Sequence, residues 1–257
     1  MRMTTPAQRA QIAPLFADFR DSLVASALSG MMGEVGAQGE PASCAAVVLG
    51  DFCFLTGVAS GEDAQRLLSE LPILDGRHDF IAIGGEAWFA LLKARFSPAA
   101  RRITRWAFAH EDTFDRGRLA QMTALPESYE AVPIAEHYAQ IMAAPWSRDF
   151  CAQFADEADF RARGHGFAAR FAGEIVAGAS SYSVYPGGIE IEIDTRMDHR
   201  RKGLARALAA RLILHCLERG LFPSWDAANE VSVRLAQSLG YRLLGPYPAL
   251  GLQLCGD

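Results

Sequence analysis

Cysteines spaced for a metal or a redox centre are missing from this chain. Its five cysteines, Cys44, Cys53, Cys151, Cys216 and Cys255, include no CxxC pair and are odd in number. Neither a zinc site nor a disulfide framework is expected, and the five read as buried thiols. The six histidines show no HExxH or other close ligand spacing, so no metal is expected. No GxGxxG turn follows a strand in a βαβ unit, which discounts a dinucleotide-binding protein. No apolar run approaches the ~20 residues of a membrane span, and the opening Met1-Arg2-Met3-Thr4-Thr5-Pro6 lacks an apolar signal core. A cytoplasmic protein with no membrane association is expected. Positive charge is in deficit as well. A formal net charge of -5 and a pI of about 5.7 argue against a nucleic-acid footprint, which needs a basic face for phosphates. The acidic balance suits a cationic or amine-bearing acceptor.

What is present is enough apolar material to fold. Half of the 257 residues are hydrophobic and 21% are charged, the balance of a globular chain able to bury a core. The length exceeds the common ~100–150-residue domain, which favours two domains. Thr5-Pro6 reads as an N-cap and first helical residue opening a helix that runs past a kink at Pro14 and fades at Gly30. Two apolar runs at 45–49 and 52–55, joined by Gly50-Asp51, read as a hairpin. Helix over 60–71, strand over 80–83, helix over 86–96 and strand over 103–109 complete an α/β first part. Gly84-Gly85 after a strand reads as a tight turn. The polar, aperiodic stretch around 113–128 places the domain boundary there, giving 1–122 and 123–257.

Beyond the boundary, 129–133 reads as extended and 136–142 as helical. A second helix follows Pro145-Trp146, with Phe150, Phe154 and Phe160 on its core side. Strands over 167–171 and 175–185 flank a hairpin turn at Ala172-Gly173-Glu174, and Pro186-Gly187-Gly188 reverses the chain into a third antiparallel strand over 189–195. A helix over 203–219 carries Leu204, Leu208, Leu212 and Cys216 on one stripe and stops at Gly220. A short strand over 221–225 precedes a helix N-capped by Asn229, with Val231, Leu235 and Leu239 facing inward and Gly240 as its stop. A last strand or pair of strands covers 241–254.

A basic, glycine-containing turn thus separates the third strand from a helix: Arg200-Arg201-Lys202-Gly203-Leu204-Ala205. Arg200, Gly203 and Ala205 satisfy the pattern Arg or Gln, two residues, Gly, one residue, Gly or Ala. One strand later, Asn229 and Ser232 open a helix ending in Leu239-Gly240-Tyr241. With these two motifs in this order, the last half of the chain resembles the GNAT superfamily of acyl-CoA N-acyltransferases. The Trp225-Asp226 pair, the N-terminal extension and the end of the last helix resemble a bacterial subgroup with an extra N-terminal domain. The resemblance implies an α/β (α+β) fold: a mixed, mainly antiparallel GNAT-type sheet flanked by helices, preceded by a smaller α/β N-terminal domain. It also implies acetyl-CoA as acyl donor, with its pyrophosphate on the backbone amides of residues 200–205. It assigns Ile193 and Thr195 to backbone contacts with the cofactor, Asn229 to a side-chain contact, and Ser232 to a weaker one.

The physics of the turn agrees without the family. A helix N-terminus exposes unpaired N–H groups and about half a positive charge, which favours an anionic pyrophosphate. Gly203 permits close backbone approach. Arg201, Lys202 and Arg206 add positive charge, and a solvated cationic turn accounts for their side chains equally well. Asn229 has a second explanation too, since Asn caps helices with or without a ligand.

The strand 189–194 alternates isoleucine with Glu190, Glu192 and Asp194. A plain solvated sheet face has the same pattern. A lysine-like amine with pKa 10.4 is neutral in only about one molecule in 2,500 at pH 7, a cost of about 4.6 kcal/mol, so a base or water relay must take its proton. Glu190, ten residues before Arg200, matches the spacing of the general base in histone-type members of the superfamily. Glu192 is the second candidate, as base or as a site for the substrate cation. Where many members carry a tyrosine general acid, seven residues after the Asn, this chain has Ala236. A thiolate with pKa near 8.5 is a tolerable leaving group without one. Tyr185 and Tyr241 are the substitutes in reach, Tyr241 more as a packing residue. Trp225 either lines the acceptor pocket or is a core tryptophan.

The expected activity is acetyl transfer from acetyl-CoA to a primary amine on a small molecule or peptide, by direct attack in a ternary complex. The alternative is a non-catalytic acyl-CoA-binding sensor or partner-binding module. No nucleic-acid partner is expected, and a homodimer is compatible with the sequence. The N-terminal domain reads as a cap, a dimerisation element or a diverged copy of the same unit.

Overall fold

The computed structural model describes residues 4–71 and 79–253; Cys255 lies outside them. The chain forms two compact units, the described residues of Met1–Arg105 with Pro246–Asp257, and Trp106–Gly245. The boundary expected from composition falls inside the second unit.

In the first unit, α1 (Pro6–Ile12) starts at a capping box in which Thr5 and Gln8 bond each other's backbone N–H groups. The single long helix expected here is broken. Pro14 opens a 3-10 turn at Ala13–Phe16, and Asp21, whose Oδ1 accepts from the Leu23 N–H at 2.8 Å, caps a separate α2 (Ser22–Ser29). The glycine-rich 33–39 stretch contains a strand that the sequence pattern hid, β1 (Glu34–Gln38). It pairs antiparallel with β2 (Cys44–Leu49), which forms the expected hairpin with β3 (Phe52–Gly57). Then come α3 (Gly61–Glu70), β4 (Phe80–Ile83), parallel to β3, and α4 (Glu86–Phe96). β5 (Ala100–Phe108) begins in the first unit and ends in the second. The last strand pairs antiparallel with β4 at Leu250, Gly251 and Leu252. Leu55, Leu67, Leu68, Trp88, Phe89 and Leu250 form the core of this unit.

In the second unit, the stretch expected to be a polar linker holds α5 (Arg116–Met122). Asp115 caps it, and Leu119 is buried in the core of the unit, which is why the polar composition marks no boundary. There follow β6 (Glu130–Pro133), α6 (Tyr138–Ala143), a 3-10 turn at Pro145–Phe150 and α7 (Glu157–Arg163). The expected helix after Trp146 is thus a turn and a separate helix, the latter restarted by the Asp156 cap on Asp159 N–H at 2.8 Å. β7 (Gly166–Phe171), β8 (Glu174–Tyr185) and β9 (Gly188–Thr195) form the antiparallel meander. α8 (Leu204–Glu218) leads to β10 (Phe222–Ser224), parallel to β9, then β11 (Asp226–Ala227), α9 (Glu230–Leu239) and β12 (Leu243–Leu252). The five-stranded sheet runs β10-β9-β8-β7-β6. On α9 the buried residues are Val233, Ala236 and Leu239, whereas Val231 is 68% exposed, so the inward stripe starts two residues later than expected. Cys44, Cys53, Cys151 and Cys216 are buried and free.

Candidate functional site

The site is a parting of strands. β9 is paired with β10 at Gly188, Ile189 and Glu190. At Trp225 the chain turns away, and Asp226 and Ala227 pair with Ala107 and Trp106 of β5 instead. From Ile191 to Thr195, β9 keeps β8 on one side and has no strand on the other among the described residues. The single strand expected over 221–225 is therefore two short ones with a break at the tryptophan. Ile191 and Ile193 pack only partly against the core, and residues 191–194 are all half-buried.

The open length of β9 leads straight to the basic turn. A 3-10 turn at Met197–His199 precedes Arg200. Arg201 has φ +62°, left-handed for a side chain that disfavours it, and Gly203 has φ +82°. Such alternation curls successive N–H groups around a concavity suited to an anion. A Cβ on Gly203 would meet nothing within 4 Å, so the glycine is set by its backbone angle and by open space in front of it. α8 begins there without a side-chain cap. Its first helical bond is from Ala207 N–H to Gly203 O at 3.1 Å, which leaves the N–H groups of Leu204, Ala205 and Arg206 without an acceptor inside the helix.

The Arg200 side chain folds back onto β9. Its Nε donates to Thr195 O at 2.9 Å and an Nη lies 3.3 Å from Asp194 Oδ1, so it braces the turn. Arg201 and Lys202 are exposed; Lys202 Nζ lies 5.9 Å from the Tyr129 ring centroid. Behind the turn, buried His199 touches the Tyr129 hydroxyl through Nδ1 at 2.8 Å and Arg196 through Nε2 at 3.0 Å. Arginine only donates, so Nε2 accepts and the proton sits on Nδ1. Burial lowers the pKa of this imidazole, which matches the neutral tautomer. Neither Tyr129 nor His199 stood out in the sequence, because their contact spans 70 residues.

Glu190, Glu192 and Asp194 share one face of the sheet with Ser183, Ser180 and Gly178, their register partners on β8. The Pro145–Phe150 turn lies on that face: Ser180 Oγ donates to Phe150 O at 2.6 Å, and a Cβ on Gly178 would strike the Phe150 ring. At the closed end of the parting, Glu190 stands between Ser183 and Ser224. Ser183 Oγ is fully buried and, like Thr195 Oγ1 at the open end, has no hydrogen-bond partner. Orphaned buried hydroxyls cost free energy unless something else satisfies them. The sequence shows a serine and a threonine but not that their hydroxyls go without a partner.

Ser224 Oγ meets the Tyr185 hydroxyl at 2.9 Å. Burial pushes the Tyr185 phenol up to about 12, so it is protonated at neutral pH. His110 stacks on Phe222 at 3.9 Å, with Tyr185 at 6.1 Å. Tyr241 is buried and donates to Pro223 O at 2.7 Å; it packs. Ala236 is fully buried in the same core, and no acidic group stands in its place.

Trp225, 8% exposed, sits in the core beside Tyr241 and donates from Nε1 to Ser232 Oγ at 3.0 Å. Asn229 caps α9, its Oδ1 accepting from Ser232 N–H at 3.0 Å. Both groups predicted for the cofactor thus have structural duties too. Among the described residues, no cluster of three His, Cys, Asp or Glu could hold a metal ion, and no helix is long and apolar enough to cross a membrane.

A sequence model of the family described as GNAT acetyltransferase matches residues 13–250, through both units and not the second alone. The chain is 27% identical to YdfB of Bacillus subtilis (strain 168), named an uncharacterized N-acetyltransferase, over 76% of this chain and 75% of that one. It superimposes with a TM-score of 0.90 on a GCN5-related N-acetyltransferase-like protein from Streptococcus suis 89/1591, at 35% identity, covering 97% of this chain and 100% of that one. A tandem GNAT protein from the clavulanic acid biosynthesis pathway shares the fold at 13% identity, with a TM-score of 0.57 over 100% of this chain and 98% of that one.

Proposed function

The chain belongs to the GNAT acetyltransferase family, acyl-CoA-dependent acetyltransferases, and from that premise we propose that it moves an acetyl group from acetyl-CoA to a primary amine in the parting between β9 and β11. The observation that carries this is the 191–195 length of β9, which has no strand on its outer side among the described residues, running into a helix N-terminus without a side-chain cap. The thioester arm pairs with the backbone of β9 near Ile193 and reaches Thr195 through the second lone pair of a carbonyl that already accepts from Arg200 Nε, the Thr195 N–H being held by Asp194 Oδ1, and the pyrophosphate rests on the N–H groups from Arg201 to Ala205. Arg200 holds that turn in shape. Lys202 and Arg201 supply charge from solvent. Asn229 and Ser232 reach the cofactor with the atoms their structural bonds leave over, and Trp225 lines the acceptor pocket.

In the reaction, Glu190 takes the proton of the bound ammonium through water, with Glu192 beside it holding the cation. The freed amine attacks the thioester carbon, the C–S bond breaks with its electron pair going to sulfur, and the departing thiolate takes the second proton of the nitrogen, so that the amide forms and coenzyme A leaves as its thiol. A β9 N–H near Ile193 steadies the oxyanion. The acceptor is a small molecule or peptide, and the protein works in the cytoplasm.

The test is mass spectrometry of a broad panel of amines incubated with acetyl-CoA, with and without the protein. Acetylation of one amine class above background is expected. Glu190→Gln should then slow turnover about 10²–10⁴-fold with coenzyme A affinity unchanged. Coenzyme A binding with no transfer to any amine would count against catalysis and favour a sensor. Full activity in the variant would remove Glu190 from the mechanism.

A further inference from the structure

The hydrogen bonds behind the basic turn run in one direction. An Arg196 Nη donates to His199 Nε2 at 3.0 Å, and an arginine has donors alone. Asp198 Oδ2, 3.5 Å from the same nitrogen, itself accepts from Arg196 at 3.0 Å. His199, 5% exposed, is therefore neutral, and its Nδ1–H donates to the Tyr129 oxygen at 2.8 Å. A phenol whose oxygen accepts still has its own hydrogen to give. Among the described residues the contact with His199 is the one hydrogen bond of the Tyr129 hydroxyl, so that hydrogen has no acceptor.

The phenol is also held in place. Its ring packs on Phe171 with centroids 5.1 Å apart and meets His199 edge-on at 5.7 Å. On Tyr129 rests Lys202, Nζ 5.9 Å from the ring centroid, at the reach of a cation–π contact. Lys202 is exposed, and among the described residues its ammonium has no ion pair. Arg66, Arg161 and Arg234 are exposed as well, and each has a carboxylate one helical turn away. An O–H and an ammonium, both without an acceptor, thus stand together beside the turn at Arg200–Ala205.

We propose that Tyr129 and Lys202 receive the 3′-phosphate of coenzyme A, so that the chain selects the full cofactor over its dephospho form. The inference rests on the cradle assigned above. With the pyrophosphate on the N–H groups of 201–205, the 3′-phosphate is one ribose away, and the backbone donors of the cradle are already taken. A phenol O–H and an ammonium are the charge-assisted donors such an anion requires. Tyr129 is the binding residue. Arg196 and His199 are positioning residues, because they fix the His199 tautomer and with it the direction in which the phenol donates.

The experiment is calorimetry on the full chain with coenzyme A and with 3′-dephospho-coenzyme A. Coenzyme A should bind about a hundredfold tighter, about tenfold from each donor. Tyr129→Phe keeps the ring against Phe171 and under Lys202; it should lose about tenfold for coenzyme A and nothing for the dephospho form. Lys202→Met should do the same. His199→Leu, which lets the phenol turn, should lose less and again for coenzyme A alone. Unchanged affinity for the dephospho form serves as the check that each variant is folded. Equal affinity of the unaltered chain for the two forms would overturn the proposal and leave the cradle standing. A Tyr129→Phe loss shared equally by both forms would also overturn it, since the hydroxyl would then only brace the turn. Binding of neither form would overturn the cradle, and the proposal with it.

Discussion

The two units of this chain follow one strand and helix order and differ most at one turn. In the second unit the turn from β9 into α8 carries Arg200, Arg201, Lys202 and Gly203, and the helix has no acidic residue in its first turn. In the first unit the turn from β3 into α3 is Val58-Ala59-Ser60-Gly61, with Glu62 and Asp63 in the first turn of the helix. Those two carboxylates already answer the positive end of α3, and Asp63 also accepts from Ser43 Oγ at 2.8 Å. Both turns use a left-handed glycine with open space beside it, Gly61 at φ +79° and Gly203 at φ +82°. The units share a left-handed glycine at the helix start, but only the second adds a left-handed residue two positions before it, Arg201, and the charges differ in sign. The anion cradle proposed for the second unit thus needs both its backbone alternation and the side chains around it.

The largest effect expected of this comparison comes from the glycines. Gly203→Val should weaken coenzyme A binding about a hundredfold, by displacing N–H groups worth about 1.5–3 kcal/mol each toward a charged ligand. Gly61→Val, with the same backbone strain, should leave coenzyme A affinity unchanged. Calorimetry on both variants tests this, and equal losses would break the distinction between the units. Next comes charge. Arg201→Glu with Lys202→Glu should cost about tenfold and remove most of the salt dependence of binding. A salt titration that keeps its slope would assign those side chains to solvent.

The units should also part under acid. Burial lowers the pKa of His110, His165 and His199, and takes His215 down to about 4. All four lie in the second unit. A group whose folded pKa is depressed binds fewer protons folded than unfolded, so stability falls as pH drops below about 6.5 and the loss continues to about pH 4. His165 Nδ1 and His215 Nε2 lie 3.1 Å apart, so charging either one also sets it against the other and against Arg219. Amide exchange at pH 5 should lose protection in the second unit before the first, and His215→Gln should reduce that difference.

Much of the second unit is legible in sequence because its signals are local. The alternation of 189–194, the Gly187-Gly188 reversal, the Asn229 cap and the glycine stops each act over a few residues. What escapes is set by partners far along the chain. Nothing near residue 225 announces that Asp226 and Ala227 will leave β9 for Ala107 and Trp106, yet that departure opens the candidate site. β1 was hidden because Gly33, Gly36 and Gly39 look like a loop, and only β2 beside it makes Glu34–Gln38 a strand. Arg200 illustrates a third limit. Its presence in a motif was plain, but only coordinates show its guanidinium on Thr195 O rather than facing the space in front of Gly203.

The smallest effect separates two roles of one hydroxyl. Ser232 Oγ accepts from Trp225 Nε1 at 3.0 Å, while Ser232 N–H is held by Asn229. Ser232→Ala deletes the first bond and keeps the second. A neutral hydrogen bond contributes about 1 kcal/mol net, and leaving the indole N–H unpaired raises the cost toward about 1–3 kcal/mol. For a chain of this size that is a fall in Tm of about 2–12 °C. If the hydroxyl serves only the tryptophan, coenzyme A affinity stays put while Tm falls. A loss of affinity that exceeds the loss in Trp225→Phe, which frees the same hydroxyl without removing it, would place Ser232 against the cofactor.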